Sequence, residues 1–202
     1  VQTCALPISM PSTWNLRARG FQVEGIEYSS ELVELVNRVK PDLPVRAGDA
    51  LRIDCPDCHY DSYISIGVVE HRSEGPEPFL EEARRVLKPG GKMLISVPFF
   101  GFARRLKSLL GLYRGTPEGA FFQYGFGEGE FTSLVARHDF EILSRHRLYP
   151  HRLLLEEFAF YRWLQSQRGA RFSKRLAEAV FGGRDGHMLM VVARKNPRKR
   201  AG

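Results

Sequence analysis

Residues 60–98 read YDSYISIGVVEHRSEGPEPFLEEARRVLKPGGKMLISVP. Residues 60–69 are mostly apolar and rich in β-branched and aromatic types, the composition of a strand buried on both faces of a parallel sheet. Residues 77–87 carry apolar and charged side chains at helical spacing. Lys88-Pro89-Gly90-Gly91 follows, and a proline beside two glycines reads as the turn that stops the helix. Residues 92–97 (KMLISV) form a second buried strand. Strand, helix, strand at this spacing is the pattern of a parallel βαβ unit with helices on both faces of the sheet.

The same alternation continues toward the N-terminus. Residues 21–28 (FQVEGIEY) read as a strand. Ser29 or Ser30 then caps a helix over 30–40, in which Leu32, Val33, Leu35, Val36 and Val39 recur at helical spacing, and Pro41 ends it. Residues 44–47 are a short strand closing at Gly48-Asp49. Residues 14–19 contain a helix end. Beyond Pro98 the pattern changes. Residues 99–124 are rich in aromatic and basic types and run into Gly125, Gly127 and Gly129. A helix over 128–138, a strand over 140–148, a long helical stretch over 152–181 broken near Gly169, and a last strand over 187–194 complete the chain.

A length of 202 residues suits one domain with a single sizeable core. The chain has no apolar run long enough for a transmembrane helix and no signal-peptide pattern at its start. Three cysteines, an odd number, give no disulfide framework and suit a reducing cytoplasm. The net charge of +7 invites a nucleic-acid reading, but Arg194, Lys195, Arg198, Lys199 and Arg200 supply five of those charges. The body is near neutral, and residues 195–202 are expected to be a basic disordered tail.

Residues 1–8 (VQTCALPI) match the in-frame translation of a sequencing-adapter oligonucleotide. Residues 1–9 are therefore expected to lie outside the protein proper, with no role for Cys4. Residues 10–194 form the domain, with a lid over 99–127 and a helical insertion over 150–185.

Four features stand in order: a strand ending in Glu27, then Gly48-Asp49-Ala50, then a strand ending Gly67-Val68-Val69-Glu70-His71, then Ala83 to Gly91 leading into a strand that ends Val97-Pro98. This string resembles the class I S-adenosylmethionine-dependent methyltransferases, in the small-molecule subgroup called type 11. The resemblance is close over 17–98 and looser over 131–148 and the last strand. It implies an α/β Rossmann-like sheet, mostly parallel with its last strand antiparallel, flanked by helices and carrying a helical insertion before that last strand. It also implies S-adenosylmethionine as cofactor. Glu27, at the end of the second strand, is placed to accept the ribose hydroxyls, a role chemistry assigns to a carboxylate there. Tyr28 would lie against the adenine. Asp49, with Ala50 beside it, is similar to the residue that receives the adenine amino group. Ile66, Gly67 and Val68 would line the methionine half. His71 is a candidate general base, although a sulfonium already carries a good leaving group and alignment supplies most of the catalysis. No metal is implied.

The family opens with a strand and a glycine-rich loop. Here both are expected to be missing, because only residues 9–20 precede the second strand and their one glycine is Gly20, at the turn, and the chain is expected to bind the cofactor weakly.

Two motifs are decoys. Cys55-Pro56-Asp57-Cys58-His59 imitates a haem-attachment or half-zinc signature but reads as a structural loop. Gly125, Gly127 and Gly129 follow no strand and read as a hinge. Specificity falls to the lid, where Phe102, Leu106, Leu109, Leu110 and Tyr113 alternate with Arg104, Arg105, Lys107 and Arg114, and to the insertion. The lid reads as a helix over the crevice or as a peripheral membrane contact. The expected activity is methyl transfer to a small or lipid-like acceptor. An RNA methyltransferase and a non-catalytic scaffold are the alternatives, and a nucleic-acid partner has only the basic tail in its favour.

Overall fold

A computed structural model describes residues 3–7 as backbone, and residues 15–112 and 124–197 in full. Its strands are β1 (Thr3–Pro7), β2 (Gln22–Glu27), β3 (Val45–Ala47), β4 (Tyr60–Ile66), β5 (Leu87–Pro98), β6 (Phe140–Leu148) and β7 (Met188–Lys195). Its helices are α1 (Ser30–Val39), α2 (Glu77–Val86), α3 (Phe102–Leu109), α4 (Glu128–Arg137), α5 (Pro150–Glu157), α6 (Ala159–Arg168) and α7 (Ala170–Phe181). The strands form one sheet in the order β3-β2-β1-β4-β5-β7-β6. β1 to β5 run parallel, and β7 is antiparallel to both β5 and β6. The α/β reading and the antiparallel last strand therefore hold.

The sheet is not open where the first strand was expected to be missing. The position of the first strand is filled, by residues 3–7. Thr3 to Pro7 pair with Gln22 to Ile26 of β2, and Cys4 and Ala5 pair with Ser62 and Tyr63 of β4. A gap there would leave two unpaired strand edges in the middle of the sheet, and any extended backbone can satisfy them. Residues 8–14, where the loop after that strand falls, lie outside the described residues.

Lys88-Pro89-Gly90-Gly91 is also not the turn expected. The segment belongs to β5, which leaves α2 at Leu87 and pairs that residue with Tyr60 before the register shifts. Gly90 takes a φ of +78°, and a Cβ on Gly91 would come within 3.1 Å of the Asp61 carbonyl oxygen. The glycines thus bend a strand rather than end one.

The Cys55–Cys58 loop closes onto the end of α2. The Arg85 guanidinium donates to the Ile53 and Cys55 carbonyls and to Asp57, while the Cys58 and His59 amides donate to the Arg85 and Val86 carbonyls. Gly127 is not a hinge but the N-cap of α4, where its amide donates to Glu130 Oε2 at 3.1 Å. Lys195, assigned to the tail by composition, ends β7 beside Arg194. Arg194 pairs with Glu141, and buried Lys195 donates its Nζ protons to the Arg84 and Leu87 carbonyls.

The main core lies between the sheet and helices α2 and α4, around Tyr63, Leu80, Met93, Phe131, Val135 and Leu189. Removing one such side chain, as in Leu80→Ala, costs about 2–5 kcal/mol. The insertion α5–α7 has a small core of its own around Leu154, Tyr161 and Ala177.

Candidate functional site

The parallel pairing of β2, β3 and β4 brings their carboxyl ends to one edge of the sheet, the edge at which open α/β sheets bind ligands. A cleft of about 330 Å³ opens there. Glu27, Tyr28, Asp49, Ala50 and Val68, all singled out in the sequence, line it together. Ile66 and Gly67 end the adjoining strand without lining it. His71 stands in the 3-10 turn Val69–His71 that follows, also outside the lining, with its amide bonded to the Val68 carbonyl.

Local chemistry fixes each group. Glu27 is the last residue of β2, and its Oε1 accepts the Ser29 amide at 3.0 Å. Ser29 caps α1, its side chain accepting the Leu32 amide at 3.2 Å. The carboxylate therefore sits at the positive end of a helix, with one oxygen held and the second available to a ligand. Gly48 donates its amide to the Glu27 carbonyl at 2.9 Å, and a Cβ there would come within 3.0 Å of Ile26 Cγ2. Any larger residue there would press on the Ile26 side chain. Asp49 Oδ1 accepts the Leu51 amide at 2.8 Å, the geometry of an Asx turn. Tyr28 is 83% exposed, so its ring is a flap at the cleft's rim rather than part of the core.

Leu51, Arg72 and Phe79 also line the cleft, and sequence reading missed them. Phe79 sits in the first turn of α2, where it looks like any core-facing apolar residue. Leu51 and Arg72 lie in loops without a motif. Apolar walls with carboxylates at the rim suit a nucleoside, which presents a flat apolar base and a polar sugar.

The lid also differs from the expectation. α3 does not present a basic face. Arg104 is buried, donating to the Phe99 carbonyl and to Glu157 Oε1 at 2.8 Å, and Lys107 donates to Glu157 Oε2 at 2.8 Å. Two of the four lid cations are thus spent inside the molecule, against α5. Tyr113 and Arg114 lie outside the described residues.

A family model described as a methyltransferase domain matches residues 11–95. A protein of Mycolicibacterium smegmatis named as a probable S-adenosylmethionine-dependent methyltransferase is 30% identical over 121 residues, covering 60% of this chain and 44% of that protein. A demethylmenaquinone methyltransferase of Renibacterium salmoninarum is 34% identical over 86 residues, 41% of this chain and 35% of its own length. The chain thus spans less than half the length of these curated relatives. Among solved structures, an S-adenosylmethionine-dependent methyltransferase of Methanosarcina mazei superposes with a TM-score of 0.65 at 17% identity, over 96% of this chain and 92% of that one.

Proposed function

We propose, from the premise that residues 11–95 form a class I S-adenosylmethionine-dependent methyltransferase domain, that the chain holds S-adenosylmethionine in the cleft at the ends of β2 and β3 and methylates a small, lipid-like acceptor. The observation that carries this is the convergence of Glu27, Tyr28, Asp49, Ala50 and Val68 on one cleft. When bound, the cofactor supplies an electrophilic methyl on a sulfonium.

The residues present fit that group. Glu27 accepts the ribose hydroxyls through the oxygen that Ser29 leaves open. Asp49 accepts the adenine amino group through Oδ2 while its other oxygen holds the turn. Leu51, Val68 and Phe79 enclose the base, and Tyr28 covers it. Ile66 and Gly67 border the methionine half, at the end of β4. His71 takes a proton from acceptors that must lose one. Two observations support a lipid-like acceptor: the menaquinone precursor in the name of one relative, and the exposed apolar side chains Phe102 and Leu109 on α3.

Calorimetry with S-adenosylmethionine tests the reading. Glu27→Gln keeps the acceptor for Ser29 but removes the charge, so binding should weaken on the order of 10-fold while the melting temperature stays unchanged. Wild-type binding that Glu27→Gln and Asp49→Ala leave intact would move the site elsewhere.

A further inference from the structure

The hairpin of α6 and α7 combines two features. The first is unpaired positive charge. Elsewhere in the fold many cations are matched: Arg46, Arg84, Arg85, Lys88, Arg147 and Arg194 each pair with a carboxylate. Arg168, Arg171, Lys174 and Arg175 are exposed and have no such partner among the described residues. Between residues 158 and 184 six basic residues face one acid, Glu178.

The second feature is apolar surface on the wrong side of a helix. α7 turns Ser173 and Ala177 inward, against Tyr161. A helix so seated should be polar outside. Instead Phe172, Leu176 and Val180, spaced by four and so on one face, are 49%, 39% and 47% exposed. On α6, Phe160 and Trp163 are 69% and 56% exposed, with ring centroids 5.6 Å apart.

We infer that the α6–α7 hairpin is a docking surface for an anionic lipid bilayer. Exposed aromatic and aliphatic side chains beside unpaired cations are what an interfacial helix presents to such a membrane. No helix among the described residues is long and apolar enough to cross a membrane, so the association is peripheral. A second copy of the chain is disfavoured, because a twofold contact would set these cations against their own images. Nucleic acid would use the cations but has no use for Leu176 and Val180. The inference stands apart from the methyl-transfer reading, since it needs neither cofactor nor acceptor.

Flotation of the full chain with phosphatidylcholine vesicles containing about 30 mol% phosphatidylglycerol tests it. The expected result is binding that neutral vesicles do not give and that about 0.5 M salt reverses. Replacing Arg168, Arg171, Lys174 and Arg175 with glutamine should weaken it about fivefold per charge, several-hundred-fold for the four. Glutamine keeps helix propensity, and an unchanged circular dichroism spectrum shows that the variant is folded. Trp163 emission should shift to the blue on binding, and Trp163→Phe should lose that shift. Equal binding by the quadruple variant, or no binding to anionic vesicles, overturns the inference. So does an oligoribonucleotide that binds the wild type while vesicles do not.

Discussion

Glu70 is 2% exposed in the turn after β4, and its Oε2 has no hydrogen-bond partner among the described residues. Burial pushes its carboxyl above the ordinary glutamate value of 4.5, with its own backbone amide and His71 opposing. A carboxyl whose folded value is raised stabilises the fold while protonated. That contribution is complete below about pH 4.5 and is lost as pH rises through the folded value. Glu70→Gln keeps the shape and removes the ionisation. Its melting temperature should exceed the wild type's by about 2–4 °C at neutral pH, on the order of 1 kcal/mol, and the two should converge in acid. A less stable variant at neutral pH would mean that the ionised form is bound. Glu27 and Asp49 were readable in the sequence because each ends a strand or opens a loop in a recurring order. Glu70 was readable only as half of a motif, because nothing in the sequence says that its neighbours bury it.

The lid helix α3 is held by groups far along the chain. Asp185 Oδ2 accepts the Ala103 amide at 2.8 Å, capping the helix from outside it, and a Cβ on Gly101 would collide with Asp185 Oδ1. Glu157 joins Arg104 and Lys107 from α5. Burial raises the Glu157 carboxyl, but hydrogen bonds from Arg104 and Lys107 outweigh it and hold the group below its ordinary 4.5. A lowered folded value gives stability that is present above about pH 4.5 and lost as pH falls through the folded value. The clamp between α3 and α5 should therefore loosen in acid. At neutral pH, Glu157→Gln leaves buried Arg104 short of its main partner and should cost roughly 3 kcal/mol, read as faster amide exchange over residues 102–109. Asp185→Ala should cost about 1–2 kcal/mol through the lost cap. Unchanged exchange in both variants would show that α3 is held by other contacts. Periodicity revealed most of the strands and helices, since buried strands run apolar and amphipathic helices repeat, but it began β5 at residue 92 rather than Leu87 and carried β4 to residue 69 rather than Ile66. It could not reveal this clamp, whose partners lie 53 and 82 residues apart. Nor could it separate a Pro-Gly-Gly turn from a bent strand, because the same residues permit both.

At the scale of the whole sheet, the decisive strand is the one whose sequence carries least information. β1 lies between β2 and β4, so its backbone closes two ladders at once. Its residues are also those read as adapter-derived, and that reading remains a proposal about where the natural sequence starts. The two statements are compatible if β1 acts through backbone alone, and substitutions can separate backbone from side chain. Cys4→Ser preserves every amide and should leave the melting temperature within about 1 °C, as for a site with no special role. Ala5→Pro removes a donor where the strand is flanked on both sides, by Glu24 and by Tyr63. A proline in a central strand should cost about 3 kcal/mol or more, enough to consume much of a marginal fold. Thermal unfolding of both variants decides the matter. Neutral Cys4→Ser with damaging Ala5→Pro means that the ladder is real and its side chains incidental. Neutral effects from both would mean that residues 3–7 do not hold the centre of the sheet in solution, so that β2 and β4 depend on other pairing. A damaging Cys4→Ser would give β1 a side-chain role and count against the adapter reading.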